Sequence, residues 1–269
     1  MGPKNVPRGT GEAMSTKSPK RQRQSNRTSR STTTESKSIA GALSAEERLL
    51  LHEWCAGRGV AVDEPSVDRL GIYRDLLLDW NTRVNLTSLR DPRDVLIKHF
   101  LDSLAILPWV PRGEPVLDIG AGAGFPGMVL KLVRLTQPVT LVEATGKKIG
   151  FLEHLRRVFR LEACNISHRR LIGGEADLRG RFGVVVSRGV QSPADFVRWA
   201  ASYLKPGGCI LAMTGRAGPS PDLKTEAFVR STGCRLEHIE QLELPEKAGT
   251  RHLLLFRFLD LAADVPRGT

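Results

Sequence analysis

The stretch DIGAGAGFPG at 118–127 sets a carboxylate, Asp118, beside glycines 120, 122, 124 and 127, directly after the apolar Pro115-Val116-Leu117. A strand that runs into a glycine-rich turn and reopens as a helix brings bare backbone close to a ligand. The triphosphate-cradling version of this turn needs Gly-Lys-Ser/Thr; here Met128 follows Gly127, so a P-loop is excluded. Gly122, Gly124 and Gly127 match GxGxxG, which by itself leaves a nicotinamide dinucleotide open. Asp118 argues otherwise: a carboxylate at the strand end repels a pyrophosphate and attracts an amine. Glu143, 25 residues further on, closes the next apolar run and is placed to accept bonds from ribose hydroxyls. An acid facing an amine, close backbone and an acid on a ribose together describe S-adenosylmethionine. It is the expected cofactor, with Asp118, Gly120, Gly122 and Glu143 around it.

These residues need an α/β frame. From residue 113 onward, short apolar runs at 115–119, 138–143, 163–168, 182–187 and 208–213 alternate with helical stretches, which predicts βαβ units and a parallel sheet. Two further strands, 235–243 and 251–258, follow without a long helix between them and predict an antiparallel hairpin. The fold class expected is therefore a doubly wound, seven-stranded, mostly parallel sheet. Helices precede it. Ser44-Ala45-Glu46-Glu47 is a capping box opening the first. Val67, Leu70, Tyr73, Leu77 and Trp80 form one stripe of a helix over 64–81, and a third helix is predicted over 93–106. The expected divisions are a disordered basic tail at 1–44, a helical segment at 45–110 packed on the core, the main domain at 111–260 and a short tail at 261–269.

Composition narrows the function classes. Net charge is +11, and much of the excess falls in residues 1–44, which favours a polyanionic partner, nucleic acid first. The stretch KRQRQSNRTSRSTTT is either a solvated tail or a phosphate-seeking arm. Cys55, Cys164, Cys209 and Cys234 contain no CxxC pair, which argues against a zinc site or a disulfide framework. No apolar run reaches the length of a membrane span, and the N-terminus lacks a secretory signal pattern, so a cytoplasmic protein is expected.

Residues 64–258 resemble the bacterial ribosomal small-subunit methyltransferase G family, also called glucose-inhibited division protein B. The resemblance is carried by WNTRVNLTSLRDP at 80–92, KHFLDS at 98–103, DIGAGAGFPG at 118–127 and EATGKKIGFL at 143–152, supported by SRGV at 187–190 and RHLLLF at 251–256. It implies a Rossmann-like S-adenosylmethionine-dependent methyltransferase fold. It also implies transfer of a methyl group to N7 of a guanine in a decoding-region stem-loop of 16S ribosomal RNA, in the small subunit or an assembly intermediate. By the same resemblance, Gly120 and Phe125 belong to the cofactor loop, Arg188 stands at the site mouth, and an acidic dipeptide after the third strand, nearest here to Gly174-Glu175, contacts adenine. Two positions depart from the family pattern. Thr214 stands where relatives often carry a lysine after the fifth strand, and Gly183 where an aspartate is common. With the basic tail, Thr214 keeps open an RNA-binding module that has lost transfer activity.

N7 of guanine has an in-plane lone pair, so no catalytic base is expected and the work is positioning. Arg188 should reach the guanine O6, a phosphate or the cofactor, leaving N7 free. His99 and Asp102, three apart on a predicted helix, share a face with Ser103. That face either covers the cofactor pocket, with Asn85 and Thr87 from the preceding loop, or locks the N-terminal helices to the sheet. Lys147 and Lys148 at a helix start either meet RNA phosphate or form a solvated pair. A monomer is expected.

Overall fold

The computed structural model describes residues 42–215 and 219–259. The basic tail expected over 1–44 lies outside the described residues except for its last three positions, as does the 261–269 tail. All described residues belong to one unit.

The seven strands are β1 (Val116–Ile119), β2 (Val139–Glu143), β3 (Cys164–His168), β4 (Phe182–Arg188), β5 (Leu204–Thr214), β6 (Cys234–Glu243) and β7 (Thr250–Phe258). They form one sheet in the order β3-β2-β1-β4-β5-β7-β6. β1 to β5 pair in parallel, and β7 inserts antiparallel between β5 and β6. This bears out the expected doubly wound sheet and its antiparallel end. The chain builds outward from β1 to β3 and then returns to lay β4 beside β1. The strand order reverses there, so a crevice opens between the C-terminal ends of β1 and β4, the usual place for a ligand in open α/β sheets.

Side-chain alternation divides the core between the two faces. On one face Val184, Val186 and Leu211 pack with Val129, Leu155 and the N-terminal helices. On the other, Val185, Ile210 and Ala212 pack with Phe196, Val197 and Phe228. The N-terminal helices share the first core and are part of it rather than an appendage.

Helices α1 (Ala45–Ala56) and α2 (Glu64–Asn81) form where expected. The Ser44 N–H donates to Glu47 Oε2 at 2.8 Å and the Glu47 N–H to Ser44 Oγ at 3.2 Å, completing the capping box. Along α2, Val67, Leu70, Tyr73 and Leu77 are fully buried and Trp80 half-buried. The third helix is not the uniform one predicted. It opens as α3 (Pro92–Val95), widens into a π-helical turn over Leu96–Leu101, where the Asp102 N–H reaches back to Ile97 C=O, and closes as α4 (Asp102–Leu104). The remaining helices are α5 (Gly127–Val133), α6 (Gly146–Val158), α7 (Pro193–Ala200) and α8 (Glu226–Thr232).

Candidate active site

Three depressions adjoin along the C-terminal edge of the strands. The first, about 420 Å³, is walled by Gly120, Glu143, Thr145, Arg169, Arg170, Leu171, Ser187 and Trp199. The second, about 190 Å³, is walled by Thr87, His99, Gly120, Gly122, Phe125, Lys148 and Arg188. The third, about 320 Å³, is walled by Asp102, Arg188, Gly189, Met213, Thr214, Gly215 and Arg251. Gly120 is common to the first two and Arg188 to the last two, so they make one trough across the topological switch point.

The glycines of the turn after β1 serve two ends. Gly120 has φ +70°, and a Cβ there would meet nothing within 4 Å, so its bare Cα faces the space a ligand would fill. Gly124 and Gly127 instead give room to the protein. A Cβ on Gly124 would meet Met128 Cβ at 2.7 Å, and one on Gly127 would meet Asp118 Oδ2 at 2.7 Å. Tyr73 from α2 donates its hydroxyl to Ala123 C=O and stacks its ring on Phe125, centroids 5.5 Å apart. The apolar stripe of α2 thereby steadies the turn.

Glu143 stands where expected. Its Oε2 accepts the Gly122 N–H and its Oε1 the Thr145 N–H, each at 2.8 Å. Burial works to raise its pKa, but the bonds from Thr145 and Gly122 outweigh that and hold the carboxyl below the ordinary range. Asp118 does not stand where expected. It is wholly buried and lines none of the three depressions, so direct contact with an amine is corrected. Its Oδ2 accepts the Gly127 N–H at 2.8 Å, joining the turn to the start of α5 from behind, while Oδ1 is buried without a partner. Burial pushes this carboxyl up to about 7.

Gly174-Glu175 is also corrected. Glu175 accepts from the Tyr203 hydroxyl and from the Ile172 N–H at 2.9 Å, and the Gly174 N–H donates to Ser202 Oγ at 3.2 Å. Those bonds pin the loop against the 3-10 turn Ala201–Tyr203 between α7 and β5, and the wall after β3 is made by Arg169, Arg170 and Leu171.

His99 and Asp102 converge on Arg188, whose Nη1 donates to Lys98 C=O and His99 Nδ1 at 3.0 Å each and to Asp102 Oδ2 at 3.3 Å. Its guanidinium lies over the Phe125 ring, 5.1 Å from the centroid. Arginine only donates, so His99 Nδ1 is the acceptor, and its Nε2–H donates to Thr87 Oγ1 at 2.8 Å. Burial, aided by the Arg188 charge, pushes His99 down to about 3. The ring is neutral at working pH and positions Thr87 and Arg188 rather than moving protons. Ser103, four residues after His99, donates its Oγ to His99 C=O at 2.6 Å. Asp102 is 2 % exposed and also accepts from Arg251 Nε at 3.4 Å. Burial raises its pKa against the pull of both arginines.

Several contributors escaped the sequence reading. Asn81, buried at the end of α2, donates to Thr87 and Leu89 C=O and accepts the Leu86 and Thr87 N–H groups, tying the loop that carries Thr87. The signal was a polar residue following the last apolar position of the stripe. Ser187 Oγ donates to Ile119 C=O at 2.8 Å across the switch point. Arg251 is first in RHLLLF and enters through β7. Lys148 lines the second depression together with Leu86 and Thr87, and their sequence neighbours Lys147 and Asn85 are exposed. Gly183 lies at the start of β4, away from the trough; a side chain there would displace Glu114, which pairs with Lys205 at 2.5 Å.

The family model described as rRNA small subunit methyltransferase G matches residues 66–254. The ribosomal RNA small subunit methyltransferase G of Myxococcus xanthus is 36% identical over 204 residues, 75% of this chain and 93% of that protein. The protein of the same description from Alkalilimnicola ehrlichii is 39% identical over 207 residues, 76% of this chain and 89% of its own. With the strand order and the trough at β1 and β4, these matches identify the chain as a member of the rRNA small subunit methyltransferase G family.

Proposed function

We propose that the trough carries out its family's reaction, transfer of a methyl group from S-adenosylmethionine to N7 of a guanine in 16S ribosomal RNA, and that Arg188 joins its two halves. The chain is accordingly an S-adenosylmethionine-dependent rRNA (guanine-N7-)-methyltransferase. The residues present fit the cofactor. Gly120 offers backbone with open space in front of it, Glu143 keeps lone pairs beyond the two that accept amides, and Leu171 and Trp199 supply apolar wall for a purine. When bound, the cofactor supplies an electrophilic methyl group on a positively charged sulfur.

Gly120, Gly122, Phe125 and Glu143 bind and orient, with Asp118 bracing the turn from behind. Arg188, fixed by three acceptors and the Phe125 face, keeps its remaining N–H groups for the incoming base or its phosphate. No residue has to take a proton from N7, in keeping with a His99 that stays neutral. The guanine must leave its stack to reach the trough, because N7 lies in the deep, narrow groove of A-form RNA. Lys147, Lys148 and Asn85 on the rim take RNA phosphates. The substrate is the small subunit or an assembly intermediate, met by a monomer in the cytoplasm; no described helix is long and apolar enough to cross a membrane.

The single observation that carries this reading is the sharing of Arg188 between the depression at Phe125 and the cleft at Asp102. The test is incubation of the protein with labelled S-adenosylmethionine and small subunits from cells lacking the modification, followed by mapping of the label. Label at N7 of one 16S guanine is expected; label only in protein or in no RNA overturns it.

A further inference from the structure

Two residues on the wall of the third depression each carry a buried polar atom without a partner. Asp102, on its wall and 2 % exposed, uses Oδ2 for Arg188 and Arg251 but has no partner for Oδ1. Thr214, 7 % exposed and on the same wall, has no partner for its hydroxyl. A buried, unpaired carboxylate oxygen is costly, and native proteins seldom keep one without a use. Two guanidinium groups, about a quarter exposed, stand beside Asp102 and share the same wall.

A ligand that satisfies this cleft must bring a donor for Asp102 and an acceptor for the arginines. An RNA phosphate brings acceptors only. It would serve Arg188 and Arg251 but leave Oδ1 unpaired and set an anion against it. The Watson–Crick edge of guanine brings both kinds, two adjacent N–H groups, at N1 and the exocyclic N2, beside the O6 carbonyl. Recognition along that edge also leaves N7, on the Hoogsteen edge beyond O6, free to react.

We propose that this cleft selects the target guanine by its Watson–Crick edge, with Asp102 Oδ1 accepting from the exocyclic N2 amine, Thr214 Oγ1 pairing with N1–H, and an arginine donating to O6. This makes Asp102 and Thr214 specificity residues of the reaction proposed above, on which the inference rests. It also gives Thr214 a task of its own in place of the lysine that relatives often carry there.

The test uses 16S RNA assembled by splinted ligation and reconstituted into small subunits, with guanosine or inosine at the mapped methylated position. Inosine keeps N7, O6 and N1–H and lacks only the N2 amine. The parent protein is expected to methylate the guanosine subunits about 10- to 100-fold faster, the usual worth of a hydrogen bond to a charged group. In Asp102→Asn the arginines, which only donate, hold the amide oxygen and leave its NH2 where Oδ1 was, so the preference should fall to near one. Unchanged S-adenosylmethionine affinity by calorimetry shows that the variant is folded. Thr214→Val should slow both substrates alike, with cofactor affinity intact. Equal rates on guanosine and inosine subunits with the parent protein overturn this inference alone, as does an Asp102→Asn variant that slows both substrates equally and keeps the preference. Absence of transfer to the guanosine subunits overturns the proposed function and this inference with it.

Discussion

The two ends of the trough are built by opposite means. At the Glu143 end, both carboxylate oxygens already accept backbone N–H groups, and Gly120 presents bare chain between β1 and α5. At the Asp102 end, side chains from α4, β4, β5 and β7 meet, held together by bonds of 3.3 and 3.4 Å to one oxygen, with two polar atoms unsatisfied. The first end is preorganised and sequence-local. The second is assembled from residues far apart in the chain. On the assignment proposed above, cofactor capture and substrate choice draw on separate parts of the fold and meet at Arg188.

Mutations should separate the ends. Gly120→Val places a β-branched side chain at positive φ and in the ligand's space. Calorimetry should then show no binding of S-adenosylmethionine, while the fold persists by circular dichroism. Arg188→Ala should slow turnover on small subunits on the order of 100-fold, as expected for loss of a buried charge partner, and change cofactor affinity far less. Equal losses in both would erase the division drawn above. Glu143→Gln should weaken cofactor binding about 10-fold, with turnover at saturating cofactor retained. Tyr73→Phe removes the bond to Ala123 C=O and should cost about 1 kcal/mol in denaturant unfolding, with little effect on either end. The smallest effect is one of pH. The Asp118 pKa is raised from 3.8 to about 7 on folding, so its contribution to stability is full below the unfolded value and is lost as pH rises through about 7. The Tm advantage of Asp118→Asn over the parent should therefore grow from pH 5 to 7 and then level off.

The legible parts of the molecule were those set by local pattern. Alternation of apolar runs located every strand, and the capping box and the α2 stripe located the first two helices, because burial of one face imposes a period on the sequence. Glu143 and Gly120 were legible at the ends of predicted strands, and Arg188 through the family resemblance. Asp118 was misread because its sequence position reveals a strand end but not which face of the turn the carboxylate takes; Gly127, lacking a side chain, leaves it room to turn inward. Gly174-Glu175 was misread because a loop without periodicity carries no register, and Gly173 packs closely on Trp199. The π-helical turn left no mark that a helical pattern could register. Arg251 was visible only as part of a motif, since antiparallel insertion of β7 beside β5 is what brings it to Asp102.

That insertion has a consequence for the trough. β7 is the last strand among the described residues, and it wedges between two strands that precede it in sequence. Arg251 reaches Asp102 only when β7 lies beside β5, so the end of the trough proposed to choose the nucleotide depends on a strand later in the sequence than those that carry Gly120 and Glu143.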